Sequence, residues 1–356
     1  MLTITMLMSS ALPARADDFS DGQWYASALR LSQAQQLSKG ADVIVAVIDS
    51  GVDASHPDLS GSVLSGADFS TSSSTSSGDG RRDAIGHGTG MASLIAGHSK
   101  THGVAPAAKI LPVRVGTAEG DSIATGAGIR WAVDHGARVI SISLGNSAPD
   151  PRERVAVEYA LAHDVVIIAA AGNKPEASTV QYPAKFEGVI AVCATDSKGS
   201  LSSHSVTGPE VALCAPGEKV SHAGAKHGYF LGTGTSDATA IVAGVAALLR
   251  AKDPQLSAAD VIHRLTVTAT DRGAAGRDAV YGYGIVNPVD ALSATSGASA
   301  TAPSTAVPTA TSFTEPASQS SPGLTLIRLA FLGCLLMVVI VVVIGVVLAI
   351  RRISRS

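Results

Sequence analysis

An α/β fold is predicted, with a mostly parallel sheet covered by helices on both faces and one membrane-spanning helix near the C-terminus. Three features of the 356-residue sequence predict it. Unbroken apolar runs, Val43-Ile-Val-Ala-Val-Ile48 and Val165-Val-Ile-Ile-Ala-Ala-Ala171, read as strands buried on both faces. Helical and strand patterns alternate from Ser122 to Gly136, Arg138 to Leu144, Pro151 to His163 and Val165 to Ala171, the rhythm of βαβ units. Finally, Leu329 to Ile350 runs for 22 residues without a charge, about 33 Å at helical rise.

Composition sets loose limits. A hydrophobic content of 46% supplies one large core, and a net charge of −3 excludes a strongly basic nucleic-acid binder. No internal repeat is visible.

Residues 1–16 are apolar and end in Ala14-Arg15-Ala16, which fits the small-residue rule for a cleaved export signal. No Lys or Arg precedes the apolar stretch, so the natural start is expected to lie upstream. Residues 17–36 form an arm in which Trp24, Tyr25, Leu29 and Leu31 are the expected anchors onto a core domain spanning 37–293.

The first strand ends in Ile48-Asp49-Ser50-Gly51, a carboxylate at a strand tip, where sites in open α/β sheets gather. Asp53, His56 and Asp58 follow closely and are expected to be turn and capping residues rather than metal ligands. The polar stretch from Asp68 to Asp83 reads as a solvated, mobile excursion. Then Gly86-His87-Gly88-Thr89-Gly90-Met91-Ala92 places a histidine at the start of a helical pattern. His98 and His102 have a metal-chelating spacing for a helix, but Gly97 and Gly103 flank them, which favours a surface loop.

Val165 to Ala171 leads into Gly172-Asn173, an amide at the tip of a strand. Val189-Ile-Ala-Val-Cys193 and Val211-Ala-Leu-Cys214 are short apolar segments that each end in cysteine. In an exported domain such a pair argues for a disulfide worth roughly 3 kcal/mol, with two buried thiols as the alternative. Leu231-Gly-Thr-Gly-Thr-Ser236 is a glycine-rich turn that runs into a helix of small residues. A helix start offers free N–H groups and a positive dipole end to an oxyanion. Taken alone, the same turn is equally a serine N-cap.

Beyond residue 293 the composition shifts. Residues 294–323 are an Ala/Ser/Thr/Pro linker that cannot bury a core. Residues 324–350 are the expected anchor and 351–356 the tail, whose Arg351, Arg352 and Arg355 place the C-terminus in the cytoplasm and the domain spanning 37–293 outside.

Asp49, His87 and Ser236, in this chain order and in these motifs, resemble the triad of the subtilisin-like serine proteases. The resemblance runs from about Val43 to about Leu292. Within the family the chain is similar to the mycosins, membrane-anchored proteases of type VII secretion. Gln23-Trp24-Tyr25, Gly88 to Ser93 and the C-terminal anchor carry that narrower likeness.

The resemblance implies a membrane-anchored extracytoplasmic endopeptidase that needs no cofactor. Ser236 would be the nucleophile, His87 the base and Asp49 its orienting partner. The amide of Asn173 and the backbone N–H of Ser236 would form the oxyanion hole. Ser143-Leu144-Gly145 and Ala170-Ala171-Gly172 would be two walls that hold substrate backbone, their small residues leaving room for it; as residues alone they are ordinary strand ends. Implied partners are a protein or peptide substrate, the membrane and a type VII secretion complex. A structural role in that complex, with proteolysis secondary, is the alternative.

The chain also departs from the family. Its arm is too short for the inhibitory prodomain many relatives carry, and the loop after Gly97 lacks the oxygen ligands of a common calcium site. Asp237 stands where relatives carry an apolar residue. Its carboxylate is expected on the leaving-group side of the cleft, opposing the oxyanion and favouring Lys or Arg after the scissile bond.

Overall fold

The computed structural model describes residues 16–70, 78–116 and 122–294. Three short helices make the arm: α1 (Ala16–Asp21), α2 (Trp24–Ala28) and α3 (Leu31–Leu37). Next come β1 (Ile44–Asp49), β2 (Ala67–Asp68), α4 (His87–Ala96), β3 (Lys109–Arg114), α5 (Ser122–Asp134), β4 (Val139–Ile142), α6 (Pro151–Ala162) and β5 (Val166–Ala170). The chain continues through β6 (Ile190–Thr195), β7 (Val211–Pro216), β8 (Glu218–Ala223) and β9 (Tyr229–Thr233). It then forms α7 (Thr235–Lys252), α8 (Ala258–Val267) and α9 (Pro288–Ser293).

Seven strands form one sheet in the order β2-β3-β1-β4-β5-β6-β7, with every neighbouring pair parallel. From β1 the chain winds first towards β3 and β2, then the other way through β4 to β7. The winding therefore reverses at β1, where the strand ends leave a crevice, and β1 ends on Asp49. Strands β8 and β9 form a separate antiparallel hairpin that leads directly into α7.

Alternate residues of β1 serve two cores. Val45 and Val47 pack with α4 and α7, whereas Ala46 and Ile48 join the core that includes Ile129 of α5 and Val157 of α6. Helix α7 is buried from Thr235 to Arg250, which explains its small residues: a Cβ on Gly244 would come 2.6 Å from Val104 Cβ. At its far end the buried Arg250 guanidinium donates to the Asp164 carboxylate at 3.0 Å and to the carbonyls of Asp164 and Leu256. Those bonds compensate a charge that would be costly to bury alone.

All four expected anchors of the arm dock. Tyr25, Leu29 and Leu31 lie within the α7-side core, with Trp24 against it. The Trp24 indole donates to the Glu218 carbonyl at 3.2 Å and the Tyr25 hydroxyl to the His102 carbonyl at 3.0 Å. Cys193 and Cys214 are cross-strand partners on β6 and β7 and form a disulfide.

The stretch from Asp68 to Asp83 differs from expectation at its end. Residues 71–77 lie outside the described residues, but Gly80 accepts from Val52 N–H at 3.0 Å and Asp79 from Gly66 N–H at 2.8 Å, so this end is bonded to the core loops. The leader, the linker and the apolar span from Leu329 lie outside the described residues. Among the described residues no helix is long and apolar enough to cross a membrane.

Candidate active site

The crevice at the end of β1 brings together Asp49 and His87. Asp49 is 1% exposed. Its Oδ1 lies 2.8 Å from His87 Nδ1 and its Oδ2 3.0 Å, while Oδ1 also accepts from Ser50 N–H at 2.7 Å. An acceptor-only carboxylate facing Nδ1 fixes the tautomer: the proton sits on Nδ1 and leaves Nε2 as the basic nitrogen. Burial acts to lower the His87 imidazole. The charge and hydrogen bond of Asp49 override it, with Asp237 and Asp83 adding to the effect, and the ring is pushed up to about 9.

Asp83 holds this pair in place. Its Oδ1 accepts from Ser50 Oγ at 3.0 Å, Ile85 N–H at 3.1 Å and Gly86 N–H at 2.8 Å. Its Oδ2 accepts from Thr89 N–H at 2.9 Å and Thr89 Oγ at 2.7 Å. One carboxylate therefore satisfies the start of α4 and ties it to the loop after Asp49, with the Ser50 hydroxyl in turn accepting from Gly88 N–H at 3.0 Å. Sequence reading assigned this residue to the solvated excursion. Its signal was an acidic residue a few positions ahead of a helix start.

Ser236 is the second residue of α7, after the N-cap Gly234. It exchanges two hydrogen bonds with the end of β4: its Oγ donates to the Ser143 carbonyl at 3.4 Å, and Ser143 Oγ donates to the Ser236 carbonyl at 3.3 Å. Among the described residues no hydrogen bond joins Ser236 Oγ to His87. Asn173 follows β5, and its Oδ1 accepts from the N–H and hydroxyl of Thr235, which leaves Nδ2 as the free donor end. An ideal Cβ on Gly234 would stand 3.2 Å from that Nδ2, so the turn before Ser236 lies against the amide.

The two segments expected as substrate walls lie at strand ends. Ser143, Leu144 and Gly145 follow β4, and Ala170, Ala171 and Gly172 close β5. The side of each glycine to which a Cβ would point is occupied. A Cβ on Gly145 would come 2.7 Å from Gln181 Cβ, and one on Gly172 2.9 Å from Gln181 Cγ. These glycines admit Gln181, whose N–H donates to the Ala171 carbonyl at 3.0 Å. Gly172 has φ +115°, a second reason for glycine there.

Asp237 does not sit where its sequence position suggested. It is 3% exposed and faces His222 on β8, Oδ1 to Nε2 3.5 Å. No open carboxylate is offered to a substrate side chain, so the preference for Lys or Arg loses its physical basis. Burial raises the Asp237 carboxyl, opposed by His222 and His87.

The other candidates have structural duties. Asp53 accepts from Ser55 N–H at 3.0 Å, and His56 Nδ1 accepts from Asp58 N–H at 3.1 Å as the cap of a short 3₁₀ turn. Asp58 accepts from the N–H groups of Lys100 and Thr101 at 2.9 and 2.8 Å and so fastens the loop that contains His98 and His102.

Comparison with known proteins places this geometry. Residues 40–284 match the Subtilase family. Subtilisin DY of Bacillus licheniformis is 39% identical over 257 residues, covering 70% of this chain and 90% of its own. The solved structure of MycP3 protease from the type VII (ESX-3) secretion system is similar with a TM-score of 0.67 at 35% identity, over 76% of this chain and 87% of that one. MycP1, a serine protease described as an essential component of the type VII (ESX-1) secretion system, gives 0.69 at 32% identity, over 80% and 92%. The chain belongs to the subtilase family and is a serine endopeptidase with the subtilisin-like α/β fold, structurally similar to the MycP1 and MycP3 mycosins.

Proposed function

We propose that this subtilase is a membrane-anchored, extracytoplasmic endopeptidase associated with type VII secretion, and that Asp49, His87 and Ser236 carry its chemistry. The observation that carries the reading is the 2.8 Å contact between Asp49 and His87 Nδ1, which directs the basic Nε2 outward. In this reading Ser236 Oγ leaves the Ser143 carbonyl, gives its proton to Nε2 and attacks a peptide carbonyl. His87 then passes the proton to the leaving amine, and Asp49 stabilises the imidazolium. Asn173 Nδ2 and the Ser236 N–H hold the oxyanion. Substrate backbone runs along Ser143 to Gly145 and Ala170 to Gly172.

The anchoring part rests on sequence alone. Residues 1–16 act as an export signal, 17–36 as the arm, 37–293 as the peptidase domain and 294–323 as a linker, with 324–350 as the membrane span and 351–356 as the cytoplasmic tail. Association with type VII secretion is carried over from what MycP1 and MycP3 are described as belonging to.

Complementation of a deletion strain tests the reading against a purely structural role. Wild type should restore both substrate cleavage and secretion, and should fractionate with membranes. Ser236→Ala should abolish cleavage. Full cleavage by Ser236→Ala would overturn the triad, and secretion restored without cleavage would favour a scaffold.

A further inference from the structure

Beside the proposed triad lies a second carboxylate–imidazole pair. His222 projects from β8 and Asp237 from the first turn of α7, and their side chains are only 10% and 5% exposed. His222 Nδ1 lies 2.6 Å from the Ala223 carbonyl. A carbonyl only accepts, so Nδ1 carries a proton and Nε2 is the nitrogen turned towards Asp237 Oδ1 at 3.5 Å. That oxygen is buried and has no hydrogen-bond partner among the described residues.

Two glycines make room for the pair. A Cβ on Gly90, one turn beyond His87 on α4, would stand 2.5 Å from His222 Nδ1. A Cβ on Gly232 of β9 would meet both members, His222 Nε2 at 2.5 Å and Asp237 Oδ1 at 2.8 Å. The imidazole is thus clamped between the helix that carries His87 and the strand that leads to Ser236.

With Nδ1 already protonated, a neutral imidazole would turn its Nε2 lone pair at a carboxylate oxygen, two acceptors face to face in a dry site. One proton between them removes that conflict, whichever atom holds it. We infer that His222 and Asp237 share a single proton and together form a neutral positioning pair, which keeps the carboxylate next to the nucleophile from opposing the oxyanion and from over-stabilising the protonated form of His87. This rests on the triad reading above. Without His222, Asp237 either ionises, leaving net negative charge beside Ser236, or takes up a proton of its own at a cost that grows with pH.

The titratable groups around the pair are few. From α4 comes His87, with Asp49 on β1 and Asp83 ahead of α4 behind it. From α2 comes Tyr25, whose phenol is raised far above its usual range by burial, then by Asp58 and by Asp237. Helix α1 and the outer end of β8 contribute Asp21, Glu218 and Lys219 at the surface. An unneutralised Asp237 carboxylate would act on the His87 imidazole through its charge, in the direction that favours protonation.

The test is a double-mutant cycle on the full-length enzyme, assayed with a neutral peptide across pH and normalised to active sites by titration. His222→Gln should lower kcat/KM at pH 8 to 9 by about tenfold or more and move the rising limb of the pH profile upward. Asp237→Asn leaves the site neutral and should keep that limb close to its wild-type position. The double variant His222→Gln, Asp237→Asn should recover to within about threefold of wild type, which a merely structural role for His222 does not predict.

Equal impairment of His222→Gln and the double variant, or an unmoved limb in His222→Gln, would overturn the inference. Should His222→Gln fail to fold, ¹⁵N NMR of the Ser236→Ala protein decides. A His222 Nε2 signal that changes on Asp237→Asn supports the shared proton, and one that titrates as a free imidazole in both refutes it. Activity retained in Ser236→Ala would instead count against the triad, leaving the NMR result on the pair unaffected.

Discussion

Thr235 donates both its backbone N–H and its hydroxyl to Asn173 Oδ1, at 2.9 and 3.1 Å. A backbone N–H only donates, so it settles which end of the amide is oxygen and turns Nδ2 the other way. The Thr235 hydroxyl also accepts from Gly172 N–H at 3.2 Å, which joins the end of β5 to the start of α7. The donor proposed for the oxyanion is therefore held before any substrate binds, as electrostatic stabilisation requires.

Asn173→Ala should lower kcat by about 10² to 10³ with KM little changed, since the donor acts on charge that develops in the transition state. Thr235→Val, which keeps the backbone donor but loses the hydroxyl, should lower kcat by about tenfold. Steady-state kinetics on one peptide checks both, and a loss confined to KM in either variant would contradict the assignment.

The Asp49–His87 contact sets a pH dependence. General-base action needs neutral imidazole, so kcat/KM should rise with pH and level off above about 9, the value to which the ring is pushed. In Asp49→Asn the midpoint should fall towards 6.5 and kcat should drop by roughly 10⁴. Stability follows the same sign. The folded value is raised, so the stabilisation is complete below about 6.5 and is lost as pH climbs through about 9. Melting curves of Ser236→Ala, which prevents self-cleavage, should show that decline, and His87→Gln should lessen it. A wild-type activity midpoint at or below 6.5 would be inconsistent with the paired geometry.

Asp83 accepts five hydrogen bonds in all, from Ser50, Ile85, Gly86 and twice from Thr89. Asp83→Ala leaves several buried donors unsatisfied and should destabilise by about 3 kcal/mol, a Tm drop of roughly 6 to 12 °C for a domain of this size. It should also lower kcat, because the same network fixes the loop after Asp49. A melting temperature within a degree of wild type would mean that the network is redundant.

Glu153 on α6 is fully buried, and neither carboxylate oxygen has a hydrogen-bond partner among the described residues. Burial, with Asp150 adding repulsion, pushes it up to about 7. The folded value is again raised, so its contribution to stability is greatest below about 4.5 and is lost as pH rises through about 7. Glu153→Met should therefore raise Tm at pH 8.5 relative to wild type by about 5 °C, corresponding to roughly 2 kcal/mol, and the gain should shrink at pH 4.5. An equal difference at both pH values would assign the effect to packing instead of ionisation.

The strand-end and helix-start positions of Asp49, His87, Asn173 and Ser236 were legible because each lies inside a short motif, where local pattern and position coincide. The parallel sheet was legible for the same reason, from runs such as Val43 to Ile48. Partners separated along the chain were not. Asp83 reaches Ser50 across 33 positions and lay in a stretch whose composition suggested solvent. Gln181 fills the space beside Gly145 and Gly172, and that space is visible only once β4 and β5 are side by side. Asp237 was read from its neighbour Ser236, yet its environment is set by His222 across the β8–β9 hairpin. The available signal was Gly90, a residue that costs about 1 kcal/mol in a helix interior and so marks a close approach.

If Ser236, activated by His87, is the nucleophile, it is the residue that an active-site-directed electrophile modifies. A fluorophosphonate probe applied to the folded, full-length enzyme, with the adduct mapped by mass spectrometry, tests it most directly. A single adduct should form on Ser236, be absent in Ser236→Ala, and form at least about a thousandfold more slowly in His87→Ala. An adduct on another serine, or labelling that persists in Ser236→Ala, would contradict it.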